Sequence, residues 1–341
     1  MTTTHFDNYI HYMRNITVFA VLVIILSGVS PVEADEANHY SFSVTPRFGM
    51  LLGRAEEIVY STGTDFYNDM LSQLLWDIKT IFYYGLDIEL SPAQPLRKHG
   101  VFVNVSMKYA IPASSGVMED RDWMSVADNA LTIYSKHDNY VDEIFLFDVC
   151  AGYSFPVRSL LVLKPVLAVS YMHFAFSGMD GYGIRAGAIP NRPGHYYPIE
   201  ESTDITTFSG KVISYSQDWL VLSTGFSAEI NFLTKFFFKA GFNISPLIVC
   251  VDLDFHIITK PPQQFKDYLR WGFYYEPYAS LSFAANKWIG VSLYASYRNI
   301  SGAKGAAYAR YIPAETYFTP AGEAGAGLSL LDTGLTLNIR F

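Results

Sequence analysis

The chain has 341 residues, half of them hydrophobic and only 16% charged, well short of the roughly 25% of an average soluble domain. Its 24 basic and 32 acidic residues leave a net charge of −8, which excludes the basic footprint of a nucleic-acid binder. Two cysteines exclude a disulfide-built fold, and 25 Tyr, 25 Phe and 5 Trp exclude a disordered chain.

The first element is the apolar run ITVFAVLVIIL, Ile16 to Leu26, preceded by Arg14. A membrane-spanning helix needs about 20 such residues, so this run suits a signal-peptide core. The small-residue stretch ending Val32-Glu33-Ala34 provides a cleavage site. Residues 1–34 are therefore expected to be a signal peptide, with Met13 as an alternative start, and residues 35–341 a single domain. A buried core helix is the rival reading, and the export-like flanks disfavour it.

After Ala34 no apolar stretch approaches the length of a helical span, and the recurrent pattern has period two. In GVFVNVSMKYAI, Val101, Val103, Val105, Met107 and Tyr109 oppose Asn104, Ser106 and Lys108. Leu220, Leu222, Phe226, Ala228, Ile230 and Phe232 oppose Ser223, Gly225, Ser227, Glu229 and Asn231. Phe236, Phe238, Ala240, Phe242 and Ile244 form another such face, and the chain closes with Leu335, Leu337, Ile339 and Phe341 in register. Ten strands are expected, near 40–59, 74–90, 100–114, 140–155, 158–177, 206–231, 235–259, 268–285, 288–310 and 325–341. The Gly/Pro/Asp/Asn-rich stretches 115–139 and 178–205 are expected to be the longest connections, outside the cell.

A soluble sandwich also alternates. Three features favour a transmembrane barrel: apolar faces rich in Phe and Tyr, opposite faces that are polar and Gly-rich, and a terminal aromatic Phe341. The predicted fold class is all-β, a ten-stranded antiparallel barrel in a bacterial outer membrane. Several runs exceed the about 9–11 residues needed to cross, so the barrel should extend beyond the bilayer.

Chemistry concentrates in two places. In LIVCVDLDFHII, Leu247 to Ile258, the apolar residues take one parity, while Cys250, Asp252, Asp254 and His256 take the other. At about 3.4 Å per residue, the two acids and the imidazole stack along one inward face. A carboxylate beside an imidazole fixes its tautomer and raises its basicity, which suits a general base; a merely polar lumen strand is the plain alternative. In VMEDRDWMS, Asp120 and Asp122 lie two apart, at the start of the loop expected after the third strand. Crowded carboxylates retain a proton or hold water or a cation; an acidic surface loop is the alternative there.

The segments MEDRDWM and DLDFH, in this order and with this spacing, resemble the omptins, outer-membrane aspartate/histidine endoproteases of Gram-negative bacteria. LLGRAEEIVY, SQLLWDIK and YSKH are similar to omptin segments too, so the resemblance covers nearly the whole mature chain. It implies a ten-stranded barrel with its active site facing the cell exterior. Asp120 and Asp122 match the family's paired catalytic acids, and Asp254 and His256 match its Asp–His dyad. Water held between the Asp pair and His256 would attack the scissile carbonyl, with no covalent acyl-enzyme, metal or other cofactor. Glu57 and Asp252 match the acids that bind a basic residue before the cut, so the implied partners are peptides or proteins with basic residues, cleaved by a monomer.

Two departures stand out. Where omptins place an acid for the residue after the cut, this chain reads Thr132, Ile133, Tyr134, which points to acceptance of an apolar residue there. The family binds lipopolysaccharide through an outward Tyr-x-Glu-x-Arg pattern, and here Tyr171, His173 and Ala175 stand at those places. A lipopolysaccharide or other lipid requirement then depends on other residues, or on an outer membrane without that lipid.

Cys150 and Cys250 both take inward parities, so a disulfide is open; Cys250 reads as a packed residue before a nucleophile, and His137 as loop-structuring. The rival to a protease is a surface barrel serving as an adhesin or structural protein. A hydrolase using Asp120, Asp122, Asp254 and His256 as metal ligands is a third reading. A passive pore is disfavoured because side chains should fill so small a barrel.

Overall fold

The alternating segments fold as antiparallel strands, each paired with its neighbour in sequence and the last with the first. The computed structural model describes residues 40–61, 66–93, 98–157, 160–314, 317 and 323–341. The expected signal peptide, 1–34, lies outside the described residues. Residues Tyr40–Phe341 form one compact unit.

Its strands are β1 (Tyr40–Tyr60), β2 (Met70–Pro92), β3 (Gly100–Ala110), β4 (Ala113–Asp122), β5 (Ile133–Val157), β6 (Leu161–Arg185), β7 (Ile205–Thr207), β8 (Lys211–Leu233), β9 (Phe236–His256), β10 (Gln263–Arg270), β11 (Phe273–Ala284), β12 (Ile289–Tyr311) and β13 (Glu323–Arg340). β3 and β4 both lie between β2 and β5, as two halves of one stave broken at Ile111-Pro112. β10 and β11 likewise share the place between β9 and β12. β7 adds three residues beside β6. β1 pairs with β13 to close a ring of ten staves. Closure matters because no strand edge is left for lipid to meet unpaired.

The outward faces carry the lipid contact. Phe48, Leu335, Leu293, Leu281, Phe238 and Ile230 are register partners in turn around the wall, and all six are exposed. Above this belt the outer surface turns charged: Arg54 and Lys79 both pair with Asp77, Glu119 pairs with Arg121, and Lys304 with Glu323. Strands of up to 25 residues thus carry the barrel well past the membrane, as their length predicts. The expected connections 115–139 and 178–205 are shorter than read: β4 runs to Asp122, β5 starts at Ile133, and β6 continues to Arg185. Polar residues stand on both faces of these extensions among a few apolar ones such as the buried Met118, so no regular apolar alternation marked them as strands.

Two irregularities reset which parity faces inward. In β9 the outward residues switch from Phe242 and Ile244 to Leu247 and Val249, across a register shift against β8. Pro246 has no N–H to place in the ladder, and Ser245 serves the gap by bonding the Leu222 carbonyl at 2.5 Å and the Leu247 amide at 2.8 Å. Between β10 and β11, Trp271 and Gly272 take φ of 63° and 128°. A Cβ on Gly272 would stand 2.7 Å from the Ser301 carbonyl oxygen, so only glycine fits there.

The lumen is filled. Lys108 on β3 bonds Asp332 on β13 at 2.5 Å, and Arg298 on β12 bonds Asp148 on β5 at 2.8 Å. Cys150 and Cys250 are both free, on staves that are not neighbours.

Candidate active site

One end of the barrel is joined by short turns and holds the C-terminus; the candidate residues gather at the other. On one wall Glu57 of β1, Leu74 of β2, Asp120 of β4 and Ser135 of β5 are successive register partners. Asp122 is one pleat higher, paired with Ser72. Contrary to the expected loop, both acids sit on a strand, so their inward direction is fixed by the pleat. Ser72 Oγ lies 3.4 Å from Asp120 Oδ1 and also bonds Asp122.

The opposite wall is β8, β9 and β10. Gln217, Asp252 and Asp267 are register partners, as are Tyr215, Asp254 and Phe265 one pleat higher, then Ile213, His256 and Gln263. His256 Nε2 bonds Asp254 Oδ2 at 2.5 Å, and Phe265 meets the imidazole edge-on at 5.5 Å. With Nε2 turned to Asp254, Nδ1 is the nitrogen left to accept a proton from the cleft.

A packed floor holds the walls together. Trp76 of β2 stacks between Phe176 and Tyr215, each at 5.6 Å. Gln217 Nε2 donates across the lumen to the Glu56 carbonyl at 2.9 Å and to Tyr215 Oη at 2.8 Å, while its Oε1 accepts from Trp219 Nε1 at 2.9 Å.

The groups sense one another across the cleft. Burial, then Asp122, raises Asp120 to about 8, and burial raises Asp122 as well. Burial alone would lower His256, but Asp254 first, then Asp120 and Asp122, raise it to about 9. Below them Glu57, Asp252, Asp254 and Asp267 are each 2% exposed. Glu57 and Asp252 are raised well above ordinary carboxylates by burial and by the other acids. Asp267 is raised to about 7 by burial, helped by Asp254. The structure therefore brings together all six residues singled out in the sequence. Among the described residues no group of three or more His, Cys, Asp and Glu is arranged to hold a metal ion.

Sequence reasoning missed Asp267, Ser72 and the Tyr215–Gln217 pair. In QQFKDYLR, Phe265, Asp267 and Leu269 share a parity, but a strand start placed at 268 hid it. Thr132, from the departure before His137, closes the 123–132 loop by bonding the Asp122 carbonyl at 2.9 Å and the Met124 amide at 3.0 Å. Ile133 pairs with Asp122. His137 lies in β5, not a loop; its Nδ1 bonds the Asp180 carbonyl at 2.5 Å and so ties down the irregularity of β6 at Asp180 and Gly181, whose φ are 51° and 97°. On the outer face Tyr171 and His173 both bond Asp218, at 2.5 and 2.9 Å.

The sequence model of the omptin family matches residues 38–341. The chain belongs to the omptin family. Against a plasminogen activator of Yersinia pestis this omptin is 29% identical over 129 residues, 37% of this chain and 39% of that protein. The matched stretch thus spans about two fifths of the relative. The crystal structure of the outer membrane protease OmpT from Escherichia coli superposes with a TM-score of 0.76 at 17% identity, covering 91% of this chain and 99% of that one. At that identity the likeness speaks to the fold, a ten-stranded outer-membrane barrel.

Proposed function

We propose that this omptin is an outer-membrane endopeptidase that hydrolyses the bond after a basic residue, using water activated between the Asp120–Asp122 pair and the Asp254–His256 dyad. The observation that carries this reading is the 2.5 Å Asp254–His256 bond facing paired carboxylates, directly above buried acids. Water oxygen attacks the scissile carbonyl carbon while His256 Nδ1 takes its proton. The imidazolium, stabilised by Asp254, then protonates the leaving amine as the C–N bond breaks. Asp120 and Asp122, linked through Ser72, position the water, and no acyl-enzyme forms. Glu57 and Asp252 below favour Arg or Lys before the cut, since a guanidinium pairs with carboxylates through two parallel bonds. No metal or other cofactor is required, and the barrel acts as a monomer.

The cleft lies at the end away from the short turns, the end that faces outward in outer-membrane barrels, so the site faces the cell exterior. Near the outer edge of the lipid belt, Asp218 presents a carboxylate between Tyr171 and His173, which would repel a lipid phosphate. Any lipopolysaccharide dependence must therefore come from elsewhere on the wall.

Chain 35–341, refolded in lipid with and without lipopolysaccharide, should cleave peptides carrying Arg-Arg or Arg-Ile at a single position and leave Ala-Ile intact. Because Ile133 stands beside Asp122, the Arg-Ile peptide should be cut at least as well as Arg-Arg. Activity that vanishes with a strong chelator would support the metal-ligand reading, and no cleavage of any peptide would favour an adhesin or structural barrel.

The pH dependence has a definite sign. An imidazole raised to about 9 is protonated below that pH and cannot accept a proton from water. Cleavage should therefore rise with pH from about 6 to about 9, with apparent values that belong to the coupled cluster. Asp254→Asn removes the chief charge that raises His256, so the rising limb should move to lower pH while the plateau falls. A pH–rate profile of both proteins checks this, and a limb that stays in place would refute the assignment of Asp254.

A further inference from the structure

The acid pocket beneath the dyad contains a carboxylate beyond the pair that the sequence singled out. Asp267 projects inward from β10 beside Asp252, and the two carboxyl groups share a hydrogen bond. Tyr215 Oη donates to Asp252 Oδ2 at 3.1 Å, so Asp252 is engaged by protein on both sides. Three acceptors here are not: Glu57 Oε2, Asp267 Oδ1 and, one pleat higher in the dyad, Asp254 Oδ1 are buried without a hydrogen-bond partner, and the first two lie at the depth of Asp252. A buried acceptor left unpaired is costly, and it is the state expected of an atom whose partner arrives with the substrate.

The wall between these two atoms is built from small side chains. Glu57 pairs with Ala326 of β13, Ala326 with Ala303 of β12, and Asp267 with Ala307 of β12. All three alanines are buried. A shallow apolar wall therefore runs from one free carboxylate oxygen to the other, suited to the methylene stem and charged end of a long cationic side chain.

Resting on the peptidase reading above, we propose that Asp267 is a specificity-determining residue: Asp267 and Glu57 take the two edges of an arginine guanidinium before the cut, and Asp252 is the positioning residue that holds Asp267. A guanidinium carries donors on separated edges of a plane, whereas an ammonium is a compact charge. Two free acceptors carried by different staves, β1 and β10, therefore suit Arg better than Lys. The groups facing Asp267 are Asp252, Asp254 and the Cys250 thiol from β9, Glu57 from β1 and the Tyr308 amide from β12, with Tyr215 of β8 behind Asp252. Most are acidic, so the pocket retains a proton when empty and releases it when the cation enters.

The test compares three peptides that differ only before the cut: arginine, lysine and citrulline, the neutral isostere of arginine. In the wild-type barrel kcat/KM should fall in that order. Asp267→Asn should lower the arginine-to-citrulline ratio about 10–100-fold, the loss expected for one charged hydrogen bond, chiefly through KM. Tryptophan fluorescence of the same lipid sample shows whether the variant barrel is folded, so the ratio is read only on folded protein. Asp252→Asn should lower the ratio less. KM for the arginine peptide should also fall as pH rises through about 7 in the wild type, and lose that dependence in Asp267→Asn. An unchanged ratio in Asp267→Asn, or a larger drop in Asp252→Asn, overturns the proposal. If Asp267→Asn cleaves nothing, Asp267→Ser is measured by the same ratio and decided the same way. A wild type that does not prefer arginine to citrulline overturns the peptidase reading beneath it instead.

Discussion

His256→Ala is expected to lower kcat/KM for an arginine peptide by about 10²–10⁴-fold, the range that general-base assistance supplies. The loss should fall on kcat, because Asp252 and Asp267, proposed to serve the substrate's basic side chain, lie two pleats below the imidazole and remain in place. Asp122→Asn should bring a loss of similar size by a different route: it keeps the shape and the Ser72 contact but removes a charge that holds water and supports the imidazolium. In the proposed mechanism both residues act on one water molecule, so the double variant should be little worse than either single one. Cys250→Ser should leave the rate unchanged, since Cys250 is fully buried below the cleft. Initial rates in lipid settle all four. A His256→Ala rate within a few-fold of wild type would remove the dyad from the mechanism.

The shared face of Asp252, Asp254 and His256 was legible early because they occupy one strand, where spacing alone fixes it. Asp120 and Asp122 needed only the same parity rule, although their strand was read as a loop. The membrane-facing strands were equally plain, since lipid demands an apolar residue at every second place. Past the bilayer that demand lapses, and β4 and the upper part of β6 read as polar connections. What one strand's pattern cannot show is which residues meet across the lumen. The approach of Asp120 to His256 depends on the stagger of ten staves, and the reach of Gln217 to Glu56 on the packing around Trp76. Asp267 was hidden by a strand start placed at 268, five residues after β10 begins. Ser72 lacks any mark in sequence, because a serine facing a wet lumen is ordinary.

The second large effect concerns the buried ions that make the barrel rigid enough to hold such a site. Arg298, 4% exposed, donates through Nε to Glu276 Oε1 and through Nη2 to Asp148 Oδ2, both at 2.8 Å. Tyr274 and Asn243 each donate to Glu276 Oε2 at 2.9 Å. This cluster ties β12 to β11 and, through the lumen, to β5. Arg298→Ala would leave Glu276 and Asp148 buried without their shared partner, with Lys108 still acting on Asp148 alone, at about 3–5 kcal/mol. Replacing the charges together, with Arg298→Met, Asp148→Asn and Glu276→Gln, should recover most of that loss, because desolvation of the ions disappears along with their attraction. Denaturant unfolding in vesicles, followed by tryptophan fluorescence, measures both. If Arg298→Ala unfolds like the wild type, water must reach the lumen at that depth, and the filled interior that disfavours a pore would no longer do so. If the single variant is weak and the triple one restored, the charges cost stability in themselves, and their worth lies in fixing how β5 and β12 stand across the barrel.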